Sequence, residues 1–243
     1  MTELLIINPN TSTDVTANID RLAREELGPR VAVRAVTAAF GARYIASRAG
    51  VAIAGHAVLD AYASALAEGA KPDAVVLACF GDPGFDALRE VCAVPVLAFA
   101  DTGLTEAAAA PGRFAIATIG AIWGEMLAEL VQRRGLGDRL ATIMALDHDS
   151  RDADVAARNI AAGAAASGAS RVIVGGTGLI PIMDEITRAL PMPVIDPHRL
   201  TLRAAAGAPS GPRGPAQQDS DFVGITPALH DLLRRMPTLS VSS

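Results

Sequence analysis

The sequence predicts an α/β protein of two related parallel-sheet domains that face each other across a cleft. Three observations predict it. Short apolar runs alternate with segments of helical period, the pattern of a parallel sheet covered by helices on both faces. Runs such as "AVVLACF" are too short and too apolar for surface helices and read as buried parallel strands. The series also occurs twice. "AVVLACFGDPGFDAL" (Ala74–Leu88) and "RVIVGGTGLIPIMDEI" (Arg171–Ile186) are two versions of one unit: a buried strand, a tight glycine loop and a helix start. Cys79 pairs with Gly176 and Pro95 with Pro193, at separations of 97 and 98 positions.

The elements follow in order. "LLIIN" (Leu4–Asn8) is a strand that ends in the turn-rich "NPNTS". Ser12 or Thr13 can cap the next helix, in which Val15, Ile19 and Leu22 recur at helical spacing. "VAVRAVT" (Val31–Thr37) alternates as a strand, and residues 50–69 form an Ala-rich helix that ends near Gly69. "VPVLAF" (Val94–Phe99) is the strand after Cys79. "RFAIATIG" (Arg113–Gly120) opens the second series, which runs through a helix near 122–134, the strand "LATIMAL", a helix near 152–167, the strand "RVIVGG", a helix near 181–189 and "MPVID". The first domain is expected to hold residues 1–97 and about 198–206, and the second residues 98–197. Ligands of open α/β sheets bind at the carboxyl ends of strands. The cleft is therefore expected between "NPNTS", "CFGDPG", "ATIGA" and "GGTGLIP". Residues 207–224 are rich in Gly, Pro, Ser and Gln and read as a flexible linker. Residues 225–237 read as an amphipathic helix, with Thr226 as cap, Pro227 at its first position and Leu229, Leu232, Leu233 and Met236 on one stripe.

Composition removes several function classes. A formal charge of −5 and 4% aromatic residues give neither a basic face nor stacking rings for nucleic acid. No apolar run approaches the roughly 18 residues that cross a bilayer. "MTELLIINPN" shows no charged leader. Cys79 and Cys92 give neither a disulfide framework nor zinc spacing, and a reducing cytoplasm is the expected setting. Of 21 basic residues only Lys71 is lysine. It precedes a strand, at the end of the sheet opposite the ligand loops, which argues against a pyridoxal Schiff base. "GGTG" (Gly175–Gly178) lacks the spacing and the acidic partner of a dinucleotide loop, and no P-loop is present. Glycines there are expected to let backbone approach a ligand or the sister loop.

Cys79 is the main chemical candidate. Its position at a buried strand end is compatible with an inert, packed thiol. It also points into the cleft, where N–H groups at the following helix start are expected to lower its pKa. Cys92 lies at the wrong end of the sheet and reads as core. Asp147, His148 and Asp149 form an acidic cluster around a histidine, but Asp149 and Ser150 also suit helix capping, so no metal site is expected. His56 sits on a helix with mixed neighbours, His198 follows "VIDP" and could border the cleft, and His230 on the tail helix is expected to be exposed.

Together, "INPNTS" (Ile7–Ser12), "ACFGDPG" (Ala78–Gly84) and "PVID" (Pro193–Asp196) resemble the hydantoin and allantoin racemases of the aspartate/glutamate racemase superfamily, from about residue 4 to about 204. The resemblance implies two pseudo-symmetric, Rossmann-like α/β domains with the active site between them. It further implies no cofactor, a small-molecule substrate and a homo-oligomer. In that family two cysteines face the substrate carbon, one removing the α-proton and the other delivering a proton to the opposite face. The first falls on Cys79; the second falls on Gly176, where "GCTG" or "GCAG" would be the family pattern. Asn10, Thr11, Phe80, Gly81, Thr118, Gly176, Thr177 and Gly178 are expected to form the pocket, with backbone N–H groups holding a developing enolate. Ile45 falls on a pocket-side loop of the family. With one thiol, two readings stand beside a racemase. One is a decarboxylase of the arylmalonate decarboxylase type, in which a single thiol protonates one face of an enediolate, although those enzymes keep the cysteine of the second half. The other is a non-catalytic small-molecule binder. Nucleophilic hydrolysis by Cys79 lacks a clearly paired histidine.

Overall fold

A computed structural model describes residues 2–147, 152–209 and 221–234. Two four-stranded sheets, all parallel, carry the same strand order. The first runs β2-β1-β3-β4, from β1 (Thr2–Asn8), β2 (Val31–Thr37), β3 (Ala74–Leu77) and β4 (Val96–Ala98). The second runs β6-β5-β7-β8, from β5 (Phe114–Ile119), β6 (Leu140–Leu146), β7 (Arg171–Val174) and β8 (Val194–Ile195). Equivalent backbone bonds recur in the two copies. Val75 N–H donates to Pro95 O at 2.9 Å, and Val172 N–H to Pro193 O at 3.0 Å. Ala78 N–H donates to Ile7 O and Gly175 N–H to Ala117 O, both at 2.9 Å.

The helices α1 (Thr13–Leu27), α2 (Arg48–Ala67), α3 (Phe85–Val91) and α4 (Phe99–Ala109) belong to the first series, and α5 (Ala121–Arg133), α6 (Ala153–Ser167), α7 (Met183–Ala189) and α8 (Pro197–Ala206) to the second. One apolar cluster spans both sheets: Leu4, Ile6 and Val76 from the first meet Ile116 and Ile173 from the second, with Phe80 and Phe99 among them. Each such side chain contributes about 1.5–3 kcal/mol by leaving water, so this shared core holds the loops at the strand ends in place.

Three details differ from the sequence expectation. The segment expected as one helix near 181–189 begins as a 3₁₀ turn, Thr177–Ile182, before α7. Pro181 lies inside it and has no N–H to continue an α-helical ladder. Ser12 flanks α1 but makes no side-chain cap bond; its N–H donates instead to Asn10 Oδ1 at 2.9 Å. Helix α2 does have the length and apolarity of a membrane span, with a mean hydropathy of 1.3 over 18 residues. Half of that window is buried inside the fold, with Ala57, Val58, Ala61 and Tyr62 among the buried residues. This is how an Ala-rich core helix satisfies the same composition.

The final helix, α9 (Pro227–Arg234), lies on the first half. Leu229 and Leu233 are buried in the cluster that includes Val58 and Ala61 of α2. Thr226 Oγ1 donates to Asp60 Oδ1, a carboxylate on a residue only 4% exposed, and accepts Leu229 N–H at 3.3 Å. His230, expected to be exposed, is half-buried on this helix. Residues 210–220 of the expected linker and 235–237 of the expected helix lie outside the described residues.

Candidate active site

One cavity of about 730 Å³ opens between the strand ends of the two sheets. Asn10, Ile45, Cys79 and Phe80 line it from the first half, and Thr118, Gly176, Thr177 and Gly178 from the second. Thr11 and Gly81 are not among its lining residues. Thr11 N–H is engaged with Ala42 O at 3.0 Å. Gly81 lies under the Trp123 ring, so close that a Cβ there would come within 2.2 Å of the ring carbon Cζ3.

Cys79 follows β3 and is 9% exposed, packed with Ile45, Ala54, Val51 and Trp123. Its pKa is raised, not lowered: burial pushes the thiol up, and the Asp82 carboxylate adds to it. The expected help from a helix start is absent for a geometric reason. The N–H groups of Gly81 and Asp82 turn back onto the carbonyl of Cys79 itself, at 3.1 and 3.3 Å. Helix α3 begins only at Phe85.

Asp82 anchors this loop. It has φ +50, and no other non-glycine among the described residues has positive φ. Its carboxylate accepts the N–H groups of Ala100 at 2.9 Å and Asp101 at 2.6 Å, at the start of α4. Burial raises its pKa to about 7, against the opposing pull of those two bonds. The Asp101 carboxylate raises it further and the Arg134 guanidinium lowers it.

The second loop is built by absence of side chains. A Cβ on Gly175 would sit 2.4 Å from the Phe80 ring, so the first loop packs where that side chain would be. Gly176 has φ +118, and a Cβ there would meet only Thr118 Oγ1, at 3.6 Å. Position 176 thus has room for a side chain on the cavity wall, but in a backbone conformation that favours glycine.

Several lining residues were not evident in the sequence. Trp123 at the start of α5 donates Nε1–H to Ile45 O at 2.8 Å, which ties the second half to the 38–47 loop of the first. Its only sequence signal is that it is the sole tryptophan and follows a strand-end loop. Asp14, Val15 and Asn18 of α1 and Ile182 also line the cavity; Tyr44, on the same loop as Ile45, and Ile119 and Pro181, in the expected loops "ATIGA" and "GGTGLIP", line it as well.

The described histidines lie elsewhere. His198, which could have bordered the cleft, is fully buried. Asp196 caps α8 by accepting His198 N–H at 2.9 Å, and the ring Nδ1 lies 3.0 Å from the same oxygen. The imidazole packs edge-on against Phe99, with ring centroids 4.9 Å apart. His56 packs in the same way on Phe40, at 5.0 Å. Cys92 is 1% exposed in the apolar core of the first half, with its pKa pushed up by burial to about 12. His148 and Asp149 of the acidic cluster lie outside the described residues.

Residues 4–205 match the family model of Asp/Glu/Hydantoin racemases. The chain belongs to the Asp/Glu/hydantoin racemase family. A hydantoin racemase of Paenarthrobacter aurescens is 30% identical over 210 residues, covering 83% of this chain and 89% of the relative. The solved allantoin racemase of Klebsiella pneumoniae superposes with a TM-score of 0.76 at 27% identity, over 84% of this chain and 86% of that one. Arylmalonate decarboxylase shares the fold, with a TM-score of 0.61 at 16% identity over 88% of this chain and 96% of its own. The chain is therefore an enzyme of a racemase family that acts on small molecules, and the cavity lies within the matched region.

Proposed function

We propose that this racemase-family enzyme moves a proton at a carbon next to a carbonyl of a small amide or carboxylate, with Cys79 as the acid–base group and no cofactor. The observation that supports it best is the position of Cys79 on the wall of the cavity of about 730 Å³ between the strand ends, which is also lined by the glycine backbone of Gly176 and Gly178. The other ionisable side chains lining the cavity, Asp14 and Tyr44, are exposed. The thiolate takes the α-proton, the C–H electron pair delocalises onto the carbonyl oxygen, and return of the proton to carbon completes the cycle. Backbone N–H groups around Gly176–Gly178 face the developing enolate, a stabilisation that acts mainly in the transition state.

Gly176 on the cavity wall favours a second reading. By resemblance to the family pattern, Gly176 stands where a second thiol would be expected, so one face of the carbon lacks a thiol to deliver the proton. The raised pKa of Cys79 keeps it protonated at neutral pH. A protonated thiol suits a decarboxylase: the C–C bond breaks, carbon dioxide leaves, and the electron pair forms an enediolate. The S–H proton then goes to one face of the carbon, and water reprotonates the thiolate.

The test supplies the purified protein with single enantiomers of 5-substituted hydantoins and, separately, with prochiral arylmalonates. Optical rotation and carbon dioxide release are followed. Turnover of either class, lost in Cys79→Ala, is the expected result. Turnover of neither, or turnover that survives in Cys79→Ala, overturns the reading.

A further inference from the structure

We propose that the side-chain amide of Asn10 donates its Nδ2–H to the carbonyl oxygen of the substrate, and that Asn8 locks it in the orientation that makes this possible. The proposal rests on the Cys79 reading above and adds the group that receives the negative charge created there.

The orientation of both amides is dictated by backbone donors. Asn10 N–H lies 3.2 Å from one terminal atom of the Asn8 side chain, and Ser12 N–H lies 2.9 Å from one terminal atom of the Asn10 side chain. An N–H can only donate, so each of those atoms is the amide oxygen. Asn8 Nδ2 then donates to Asn10 Oδ1 at 3.0 Å, which makes the two assignments consistent. Asn8 Nδ2 also reaches Ser12 O at 3.1 Å and Thr16 Oγ1 at 3.0 Å, and the Thr16 hydroxyl pairs with that of Thr37 at 2.6 Å. Asn8 is 1% exposed and terminates β1, a central strand of its sheet.

With Oδ1 accepting two donors, Asn10 has only its NH₂ left. That group makes no hydrogen bond among the described residues, although Asn10 is 7% exposed and lines the cavity. The nitrogen is open to the cavity rather than sealed inside the protein, so a ligand oxygen can take the place of solvent on it. The complement is an oxygen that gains charge during the reaction: the carbonyl that becomes an enolate when Cys79 takes the proton. A donor held rigidly by a strand end needs no reorganisation as that charge appears.

The experiment compares Asn10→Ala, Asn10→Asp and Asn8→Asp with the parent protein. Two rates are read: exchange of the C5 proton of 5-benzylhydantoin in deuterium oxide, and alkylation of Cys79 by iodoacetamide. Asn10→Ala is expected to lower the exchange kcat about 10²–10³-fold, with KM little changed and alkylation unaltered. Asn10→Asp keeps the Oδ1 acceptor for Ser12 N–H but presents a carboxylate oxygen in place of the donor. Its exchange should be at least as slow at neutral pH and should recover as the pH falls and the acid gains a proton to donate. Asn8→Asp keeps the acceptor for Asn10 N–H and removes the lock, with an expected smaller fall in kcat. Unchanged kcat in Asn10→Ala, or a loss that tracks slower alkylation or a lowered melting temperature, overturns the Asn10 assignment and leaves Cys79 standing. Full exchange in Cys79→Ala would instead overturn the reading on which the proposal rests.

Discussion

The loop after β3 and the loop after β7 occupy equivalent places in two sheets of the same strand order, and they differ in what they present to the cavity. The first carries side chains. Cys79 and Phe80 point inward, and Asp82 fastens the turn to the start of α4. The second carries backbone. Gly175 makes room for the Phe80 ring, and Gly176 leaves a gap beside Thr118. The two glycines therefore have separate causes: contact with the sister loop requires the first, while φ +118 favours the second.

The largest expected effect comes from removing the group that one loop has and the other lacks. Cys79→Ala should lower turnover about 10²–10⁴-fold, the usual contribution of a positioned acid–base group, while Cys92→Ala should not. Steady-state rates of the two variants decide this.

The first half also carries α9, which among the described residues has no counterpart helix in the second. Ending the chain before Pro209 should expose the face that Leu229 and Leu233 cover and leave Asp60 without Thr226. The expected loss is about 3–6 kcal/mol, at the 1.5–3 kcal/mol of each of the two buried leucines, read as a lower midpoint in denaturant.

A smaller effect separates the two glycines. Gly175→Ala should cost about 1–3 kcal/mol through overpacking against Phe80 and should also lower activity by displacing that ring. Gly176→Ala would meet only Thr118 Oγ1, at the ordinary contact distance of 3.6 Å, and its backbone conformation opposes it at about 1–3 kcal/mol. Thermal melts with activity assays distinguish the two causes. Gly176→Cys should add or raise inversion of a hydantoin that the cavity admits.

The smallest effect is in pH. Asp82 is raised from 3.8 to about 7 by burial, so the folded protein binds its proton more tightly than the unfolded chain. Its contribution to stability is present below about 4 and lost as pH rises toward 7. Asp196 behaves in the opposite sense. Burial would raise it, but the bond and charge of His198 and the Arg199 guanidinium outweigh that and bring it to about 2. Its contribution is present above 3.8 and lost as pH falls toward 2. Asp82→Asn should flatten the neutral limb of a stability–pH curve and Asp196→Asn the acid limb. Asp82→Asn should also lower the pH midpoint of Cys79 alkylation, since the carboxylate raises the thiol.

The strands were legible because parallel strands buried on both faces leave continuous apolar runs such as Val75–Leu77 and Val172–Val174. The loops that line the cavity were legible because they follow those runs. What could not be read was the direction in which side chains face. "CFGDPG" promises a helix start near a thiol, but Gly81 and Asp82 turn their N–H groups back onto Cys79 O. His198 follows a strand end as a cleft residue would, but Asp196 and Pro197 start α8 there and carry the ring into the core. Trp123 reads as one apolar residue of an amphipathic helix. Only long-range packing places it over Gly81 and against Ile45 O.

The central claim, one thiol working on one face of the substrate, is tested most directly by deuterium uptake. One enantiomer of a 5-substituted hydantoin that the enzyme accepts is incubated in deuterium oxide. Proton loss at C5 is followed by NMR and enantiomeric composition by chiral chromatography. A single thiol predicts that deuterium enters the starting enantiomer with retention, faster than the opposite enantiomer accumulates. Inversion at the same rate as exchange would contradict it and would assign the second base to another group on the Gly176 wall, with Thr177 the nearest candidate.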